Sequence, residues 1–382
     1  MFNYLFKLII LFFFDLMMKQ IGYIFYVLII TLIALELVLH IYNPIPFRLK
    51  GDKIVLPIHQ QYSFTNDYPD YDSLIIHNKN SLGYRGEEMP ADSSYTKVIV
   101  VGGSTTECFF VTENKAWPQV FQQETRRINS KFWVNNAGLN GHSTFGHLIL
   151  LKDIIVKQKP DYVYFLVGVN DMDRSDLNDS DGRYLKGTSV NMGKNSWFKN
   201  AFLTLSNNSE VFNLIYNISK AVKARNQKIF VDQKVILKKS DTLVLSSGDS
   251  TRVLDPQRKL IPAYQQRIQS LIDVCLQHKI TPVFITQPLL YGEGIDPKTG
   301  IDLATHRVSE VMNGGLLWKK LELYNEATRK TCLANKVGLI DLAYLLPKNS
   351  AYFFDEMHYS NEGSIQVGKI ISEQSRKILK FK

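Results

Sequence analysis

The chain has 382 residues, of which 45% are hydrophobic and 21% charged, so it can bury a sizeable core and is neither a disordered nor a collagen-like chain. Its formal net charge is +9, and +6 of this excess falls in residues 172–260; so diffuse a charge predicts no nucleic-acid partner. Three widely spaced cysteines without a CxxC motif predict neither a zinc site nor a disulfide framework, and leave room for at most one disulfide.

The first predicted element is a membrane-spanning helix. The apolar run Leu8–Phe14 has seven residues and is too short to cross a bilayer. The run 21–42 has 22 residues, about 33 Å as a helix against roughly 30 Å of hydrocarbon, and predicts a single-pass anchor. A buried core helix is the alternative. Residues 1–20 are then a short amino-terminal segment, in which Met17 or Met18 is an alternative start.

No small-x-small cleavage site follows this run, which favours a retained anchor over a removed signal peptide. Lysines precede the run and basic residues at 48, 50 and 53 follow it, so the charge distribution does not decide the orientation. We expect the amino terminus inside and the large domain outside, as in an ordinary signal anchor. The predicted location is therefore the membrane, with an extracytoplasmic domain.

Residues 43–92 hold five prolines and no sustained periodicity, and predict an extended connector that lies on the domain. The range 93–382 is predicted as one domain. Its apolar runs, without alternation, are typical of strands covered on both faces. They are Lys97–Val101, Phe132–Asn135, Tyr162–Val167, Pro282–Thr286 and Val337–Leu342.

Amphipathic stretches between and after these runs predict helices over Ala116–Ile128, Phe145–Gln158, Gln257–Lys279, Leu316–Ala334 and Asn361–Leu379. Alternating strands and helices predict a parallel sheet of about five strands with helices on both faces, which is a three-layer α/β/α fold. Residues 172–256 break the alternation and are interpreted as an insertion. Within it the pattern fits a helix over Glu210–Arg225 and a hairpin over Lys228–Leu245.

Ligands of open parallel sheets bind beyond the carboxyl ends of the strands, and polar clusters follow the strands here. They are Gly102–Glu107, Asn136–Ser143, Gly168–Asp171 and, before the last helix, Asp355–His358 with Ser360 as helix cap. Each cluster alone is weak evidence. The first lacks the GxGxxG and GK[ST] motifs of nucleotide-binding sites. A sequence like the third is most often a turn, and one like the fourth is most often a solvated helix start. Together they supply a nucleophile, oxyanion donors, and a base with a group to orient it.

The four clusters resemble the sequence blocks of the SGNH, or GDSL-type, esterases and lipases, over about residues 95–380. The matching segments are GGST, the glycines around Gly141, GVND and DEMH. The resemblance implies the SGNH hydrolase fold, which has a flavodoxin-like parallel sheet. It also implies Ser104 as nucleophile, His358 as general base and Asp355 as the residue that orients the imidazole. Gly103 stands where the family name has aspartate.

By the same resemblance the oxyanion donors are the backbone N–H groups of Ser104 and Gly141 and the side-chain amide of Asn170. Gly138 is an alternative for the glycine role. Gly141 is preferred because the family places this glycine five residues after the asparagine of the block, here Asn136.

The resemblance implies a serine esterase that forms an acyl-serine intermediate and uses neither a cofactor nor a metal. Combined with the anchor, it predicts removal of small acyl groups, acetyl above all, from an envelope or extracellular glycan. The alternatives are an O-acyltransferase acting on a polysaccharide, a lipase-like acylhydrolase, and a non-catalytic glycan-binding module. The expected partners are an acyl ester or acylated glycan and, through the amino-terminal helix, the membrane.

Overall fold

The computed structural model describes residues 2–42, 49–50, 53–174 and 234–382, together with 201, 204–206, 208–215 and 217–218. The chain divides into two compact units. One comprises Met1–Val55 and Val190–Gln227, and the other Leu56–Ser189 and Lys228–Lys382.

The first unit contains one long helix, α1 (Phe2–Ile41), and the short antiparallel pair β1 (Leu49–Lys50) and β2 (Lys53–Ile54). Residues Phe14–Ile41 of α1 are long and apolar enough to cross a membrane and are almost entirely exposed, although an amino-terminal signal sequence has the same properties. The carboxylate of Glu36 accepts hydrogen bonds from Ser209 Oγ at 2.6 Å and the Glu210 N–H at 2.7 Å.

The second unit is built on a parallel sheet of five strands, as predicted. Its strands are β5 (Thr96–Val101), β6 (Phe132–Asn136), β7 (Tyr162–Val167), β8 (Thr281–Thr286) and β11 (Gly338–Ile340). Their spatial order is β6-β5-β7-β8-β11, and all neighbouring pairs are parallel. Every residue of β6 and β7 is buried, as expected for strands covered on both faces. The order reverses between β5 and β7, which makes their carboxyl ends the expected ligand-binding crevice.

Five helices in the described part of the second unit lie close to their predicted positions, and the structure adds three that were not predicted, Ser104–Glu107, Ser247–Arg258 and Leu342–Leu345. Together they are α2 (Ser104–Glu107), α3 (Trp117–Arg126), α4 (Thr144–Asp153), α5 (Ser247–Arg258), α6 (Ile261–Gln277), α7 (Gly314–Asn335), α8 (Leu342–Leu345) and α9 (Asn361–Ser375). Helix α3 packs on α9, while α6 packs on both α4 and α7. The predicted α/β/α fold is thus confirmed.

The prediction of one helix over Gln257–Lys279 is wrong at its start, because α5 ends at Arg258 and α6 begins at Ile261. Pro262 has no N–H to donate to the preceding turn, so a single helix cannot continue through this point without losing a hydrogen bond. The predicted helix over Phe145–Gln158 ends earlier as well, and Ile155–Gln158 forms a separate 3₁₀ turn.

Residues 56–92, predicted as part of an extended connector, belong to the second unit. They include the antiparallel hairpin of β3 (Gln60–Thr65) and β4 (Leu74–Lys79), in which alternate residues of β4 are buried. Tyr71, Tyr84 and Arg85 are also buried. This segment therefore forms part of the domain, and the boundary predicted at 93 is too late.

The insertion predicted over 172–256 is described only in part. Residues 210–215 and 217–218 are helical, while the rest of the predicted helix Glu210–Arg225 lies outside the described residues, as does the start of the hairpin Lys228–Leu245. From residue 234 the chain runs along the domain, where the Val235 N–H donates to the Phe354 carbonyl at 3.0 Å and the Leu243 N–H to the Thr305 carbonyl at 2.8 Å; the pairing of the predicted hairpin involves residues outside the described part. There Thr242 forms an isolated bridge to His306 next to the short pair β9 (Arg307–Ser309) and β10 (Met312–Asn313).

Candidate active site

Ser104 is the first residue of α2 and follows β5 after Gly102 and Gly103, at the point where the strand order reverses. Asn170 lies in the 3₁₀ turn Val169–Asp171 that follows the neighbouring strand β7. The two segments approach closely, since a Cβ atom built on Gly103 would lie only 2.1 Å from Asn170 Nδ2. In this chain the glycine before Ser104 is therefore required for the Asn170 amide to lie beside the turn.

Ser104, His358 and Asp355 form a continuous chain of hydrogen bonds. Ser104 Oγ lies 2.7 Å from His358 Nε2, and His358 Nδ1 lies 2.5 Å from Asp355 Oδ2. A carboxylate can only accept, so Nδ1 carries the proton and Nε2 is left to accept the hydroxyl proton of Ser104. This arrangement prepares the imidazole to act as a base towards the serine hydroxyl.

The loop that carries the imidazole is held by hydrogen bonds within itself. Asp355 Oδ1 accepts the N–H groups of Met357 at 2.8 Å and His358 at 2.7 Å, and the Phe354 N–H donates to the His358 carbonyl at 2.8 Å. Burial raises the pKa of Asp355, but the hydrogen bonds and charge of His358 outweigh this effect, and the pKa lies below its ordinary value. Asp355 therefore remains ionised at neutral pH.

Helix α9 begins directly after this loop, with the Ser360 hydroxyl accepting from the Gly363 N–H at 3.0 Å, as the sequence predicts. A Cβ atom on residue 363 would lie 1.8 Å from the Tyr352 carbonyl oxygen. Glycine at this position thus allows the first turn of the helix to pack closely against the chain that leads into the loop.

On the other side of Ser104, the Asn170 amide donates to the His142 carbonyl at 2.9 Å. An amide nitrogen carries two N–H groups, so this bond occupies one donor and the second can serve a ligand oxygen. Gly141 precedes His142 and has a φ of +75°. The N–H of the alternative glycine, Gly138, donates to Asn136 Oδ1 at 2.8 Å and so stabilises the loop itself.

Asp171 and Arg267 form a buried ion pair behind these loops, with 3.1 Å between Asp171 Oδ1 and Arg267 Nη2. The same carboxylate accepts the hydroxyl of Thr144 at 2.5 Å and its N–H at 3.3 Å. The guanidinium lies 4.1 Å from the centre of the Phe145 ring. This cluster joins the start of α4 to the turn that carries Asn170.

Arg85 supports the segment after α2 and was not identified from the sequence. Its buried guanidinium donates to the carbonyls of Cys108 at 2.7 Å and Val111 at 2.6 Å, and pairs with Glu113 at 3.1 Å. A basic residue in an apparently irregular connector reads as a solvated charge, so the sequence alone carried no signal for this role.

The segment held by Arg85 forms one wall of a small pocket that contains Ser104 and His358. The other lining residues are mostly aromatic or apolar: Tyr71, Thr105, Cys108, Phe109, Phe110, Val111, Phe354 and Tyr359. Burial raises the pKa of the Cys108 thiol to about 11, so this sulfur stays protonated and is no rival nucleophile. All three cysteines are free and buried. Within the described parts of the chain, no cluster of His, Cys, Asp and Glu side chains could hold a metal ion.

Residues 100–364 match the sequence model of the GDSL-like Lipase/Acylhydrolase family, a stretch that contains Ser104, Asp355 and His358. The chain is similar to the solved structure of the lipase/acylhydrolase from Enterococcus faecalis, with 13% identity, a TM-score of 0.40 and coverage of 75% of this chain and 99% of that one. It is also similar to a GDSL-like lipase from Bacteroides thetaiotaomicron (12% identity, TM-score 0.38, 77% and 93% covered). A catalytic mutant of an acetylxylan esterase from Geobacillus stearothermophilus is a third such structure (11%, 0.39, 73% and 93%). No curated protein sequence matches the chain.

Proposed function

Because the chain belongs to the GDSL-like lipase/acylhydrolase family and is therefore a serine hydrolase that acts on ester bonds, we propose that Ser104 is its nucleophile, His358 its general base and Asp355 the residue that orients the imidazole. The observation that carries this proposal is the unbroken set of hydrogen bonds from Ser104 Oγ to the Asp355 carboxylate. A serine hydroxyl is a weak nucleophile until an adjacent base removes its proton, and this geometry supplies that base.

In the first half of the reaction, His358 Nε2 takes the hydroxyl proton while Ser104 Oγ attacks the ester carbonyl carbon. The resulting imidazolium is stabilised by the ionised Asp355, which lies against its Nδ1–H. The imidazolium then gives its proton to the departing alcohol, and an acyl-serine remains. In the second half, His358 activates water in the same way, the acid is released and Ser104 is regenerated.

Negative charge develops on the carbonyl oxygen in both halves. We assign its stabilisation to the N–H groups of Ser104 and Gly141 and to the second N–H of the Asn170 amide. Donors that are already oriented need no reorganisation during the reaction, and removal of one typically costs about 10²–10³ in rate. The close approach of Asn170 to Gly103 supports this assignment.

The pocket beside Ser104 supports a small, uncharged acyl group as the substrate moiety. Its walls are mainly aromatic, and the described residues that line it include no Asp, Glu, Lys or Arg side chain. An apolar surface of this kind gains from burial of methyl and methylene groups and offers little to a charged group. Because the pocket is also small, we favour a short acyl ester, such as an acetylated glycan, over a long-chain lipid.

We further propose that α1 is retained as a single-pass membrane anchor and that the hydrolase domain lies outside the cytoplasm. The length and apolar composition of Phe14–Ile41 support the anchor. A domain held at the membrane surface meets the glycans of the cell envelope at high effective concentration, which is the reason for preferring such a substrate.

The test uses the full-length protein in detergent. Ser104→Ala should abolish hydrolysis of p-nitrophenyl acetate and labelling by a fluorophosphonate, because both reactions need the serine oxygen. Ser93→Ala, which changes an exposed serine in a turn, is the matched control and should keep both activities. Retention of both activities in the Ser104 variant would falsify the nucleophile assignment. Supplying an acetyl donor with an oligosaccharide acceptor then tests whether the enzyme hydrolyses the ester or transfers its acyl group. Hydrolysis releases free acid, whereas a transferase forms acylated glycan.

A further inference from the structure

Arg174 connects the two loops to which the proposed function assigns the oxyanion donors. The residue is largely buried, with 9% of its surface exposed. Its Nε donates to the backbone carbonyl of Asn170 at 2.6 Å, and its Nη2 donates to the carbonyl of Gly141 at 3.2 Å. One planar guanidinium thus contacts both loops, which are 29 residues apart in the sequence.

We propose that Arg174 is a positioning residue of the oxyanion hole, which fixes Gly141 relative to Asn170 before substrate binds. This inference rests on the proposed function of that site. Its premise is geometric: donors stabilise the developing charge only if they already point at it, and a displacement of about 1 Å can cost about 10²-fold in rate. Gly141 and Asn170 come from separate loops, so their spacing depends on contacts that cross between them.

Arg174 makes a contact with Gly141 that differs from the contacts made by Asn170 and Asp171. The Asn170 amide reaches His142, and Asp171 fixes Thr144 at the start of α4. Arg174 contacts the carbonyl of Gly141 itself. Gly141 adopts a left-handed conformation and has no side chain of its own to restrict it, so an external contact has more effect on its position.

Arginine suits this role better than lysine. Its guanidinium has five N–H donors in a rigid plane, and two of them can hold carbonyls in a fixed relation. An ammonium group donates from a single point on a flexible chain. Arg174→Lys therefore keeps the charge but should not restore the bridge between the two loops.

The experiment compares Arg174→Met and Arg174→Lys with the unmodified full-length protein in detergent, using p-nitrophenyl acetate. We expect the Met variant to lower kcat by about 10- to 100-fold with KM changed less than threefold, and the Lys variant to recover only part of this loss. Arg126→Met is the matched control. Arg126 lies on α3, and its Nε also donates to a backbone carbonyl, that of Phe132, at 2.7 Å. It should keep the original kcat. All rates are referred to the folded fraction measured by thermal melting.

A double-mutant cycle with Asn170→Ala separates positioning from a general structural role. If Arg174 acts through the donors, its substitution should cost much less kcat when Asn170 is already alanine. Equal losses in both backgrounds, an unchanged kcat in Arg174→Met, or full activity in Arg174→Lys would each overturn the inference. If Asn170→Ala itself leaves kcat unchanged, the oxyanion assignment of the proposed function fails together with this inference. If Ser104→Ala retains activity, the nucleophile assignment fails, which is a separate result.

Discussion

The two sides of the candidate active site are held in different ways. The imidazole of His358 is oriented by contacts within a few residues, such as those of the Asp355 carboxylate with residues 357 and 358. The loops that carry Gly141 and Asn170 are fixed by side chains far apart in the sequence. Asn170 and His142 are 28 residues apart, and Asp171 and Arg267 are 96 apart.

This difference suggests that the two sides of the site are sensitive to substitutions at different positions. The geometry of the base follows from a short local motif, so it should change mainly when that motif is altered. The geometry of the oxyanion donors depends on packing between α4, α6 and the turn after β7, so it should respond to substitutions at remote positions. Four predictions test this difference, from the largest expected effect to the smallest.

The first prediction concerns the loop that carries His358. Asp355→Asn removes the charge that stabilises the imidazolium and allows the amide N–H to hold the wrong tautomer of His358. We expect kcat/KM for a short ester to fall about 10⁴-fold, with little change in fold. The matched control is Glu362→Gln, an exposed carboxyl-to-amide change in the first turn of α9. A loss of less than tenfold in the Asp355 variant would show that the local motif does not set the base.

The second prediction concerns the ion pair of Asp171 and Arg267, which joins segments far apart in the sequence. Asp171→Asn leaves the Arg267 guanidinium buried without its charge partner, so the free energy of unfolding should fall by about 3–5 kcal/mol. Denaturant titration followed by tryptophan fluorescence measures this loss. The exposed pair Arg258 and Asp255 provides the control, because Asp255→Asn should cost less than about 1 kcal/mol. Similar losses in both variants would contradict the importance of the buried contact.

The third prediction separates substrate choice from reactivity, because Phe110 lies in the wall of the pocket formed by the segment after α2, which belongs to neither set of loops. Phe110→Ala should lengthen the pocket and raise kcat/KM for longer acyl esters relative to acetate by about fourfold for each additional buried methylene. A series of p-nitrophenyl esters from acetate to octanoate measures the shift. Ile128→Ala, an exposed apolar residue after α3, should leave the chain-length profile unchanged. An unchanged profile in the Phe110 variant would exclude this pocket as the acyl site.

The fourth prediction concerns Lys348, which holds the segment whose Leu290 N–H donates to the Glu356 carbonyl in the His358 loop at 2.9 Å. Lys348 donates to the Tyr291 carbonyl at 2.6 Å, and burial lowers the pKa of its ammonium group to about 8, although the charge of Glu322 opposes the shift. Below pH 8 both the folded and unfolded chains hold this proton, and the cost of burying the charge is fully present. Between pH 8 and 10.5 the unfolded chain binds more protons, so the stability contributed by Lys348 rises with pH.

Lys348→Met should remove this rise, which thermal melting between pH 7.5 and 10 can detect as a flatter dependence of Tm on pH. Lys319→Met changes an exposed lysine of α7 and should keep the original dependence. An identical pH dependence in all three proteins would show that Lys348 does not contribute in this way.

The order of strands and helices could be predicted from the sequence because each buried strand is a continuous apolar run and each helix has its own amphipathic period. The residues that form the hydrogen-bonded chain were also identified, since Ser104 and His358 lie in short motifs at element ends. The prediction missed what depends on contacts across the fold. Arg85, Arg174 and Arg267 are buried cations whose partners are mainly backbone carbonyls or distant side chains, and these leave no local pattern in the sequence.

The same reasoning explains the late domain boundary. A hairpin with irregular flanks and several prolines has weak periodicity, so the sequence predicted a connector where the structure has β3 and β4. The predicted span ending at Tyr42 and the helix ending at Ile41 agree closely, because a long apolar run is a strong signal even without tertiary contacts.

Arg85 sets a practical limit on how this enzyme can be shortened for crystallisation or assay. A version trimmed at residue 93 would lack the guanidinium that holds the Cys108 and Val111 carbonyls, as well as the ring of Tyr71 in the pocket. It would keep the serine, histidine and aspartate and still lose the surface against which a substrate rests. A soluble version should therefore begin at or before Leu56, with the hairpin included.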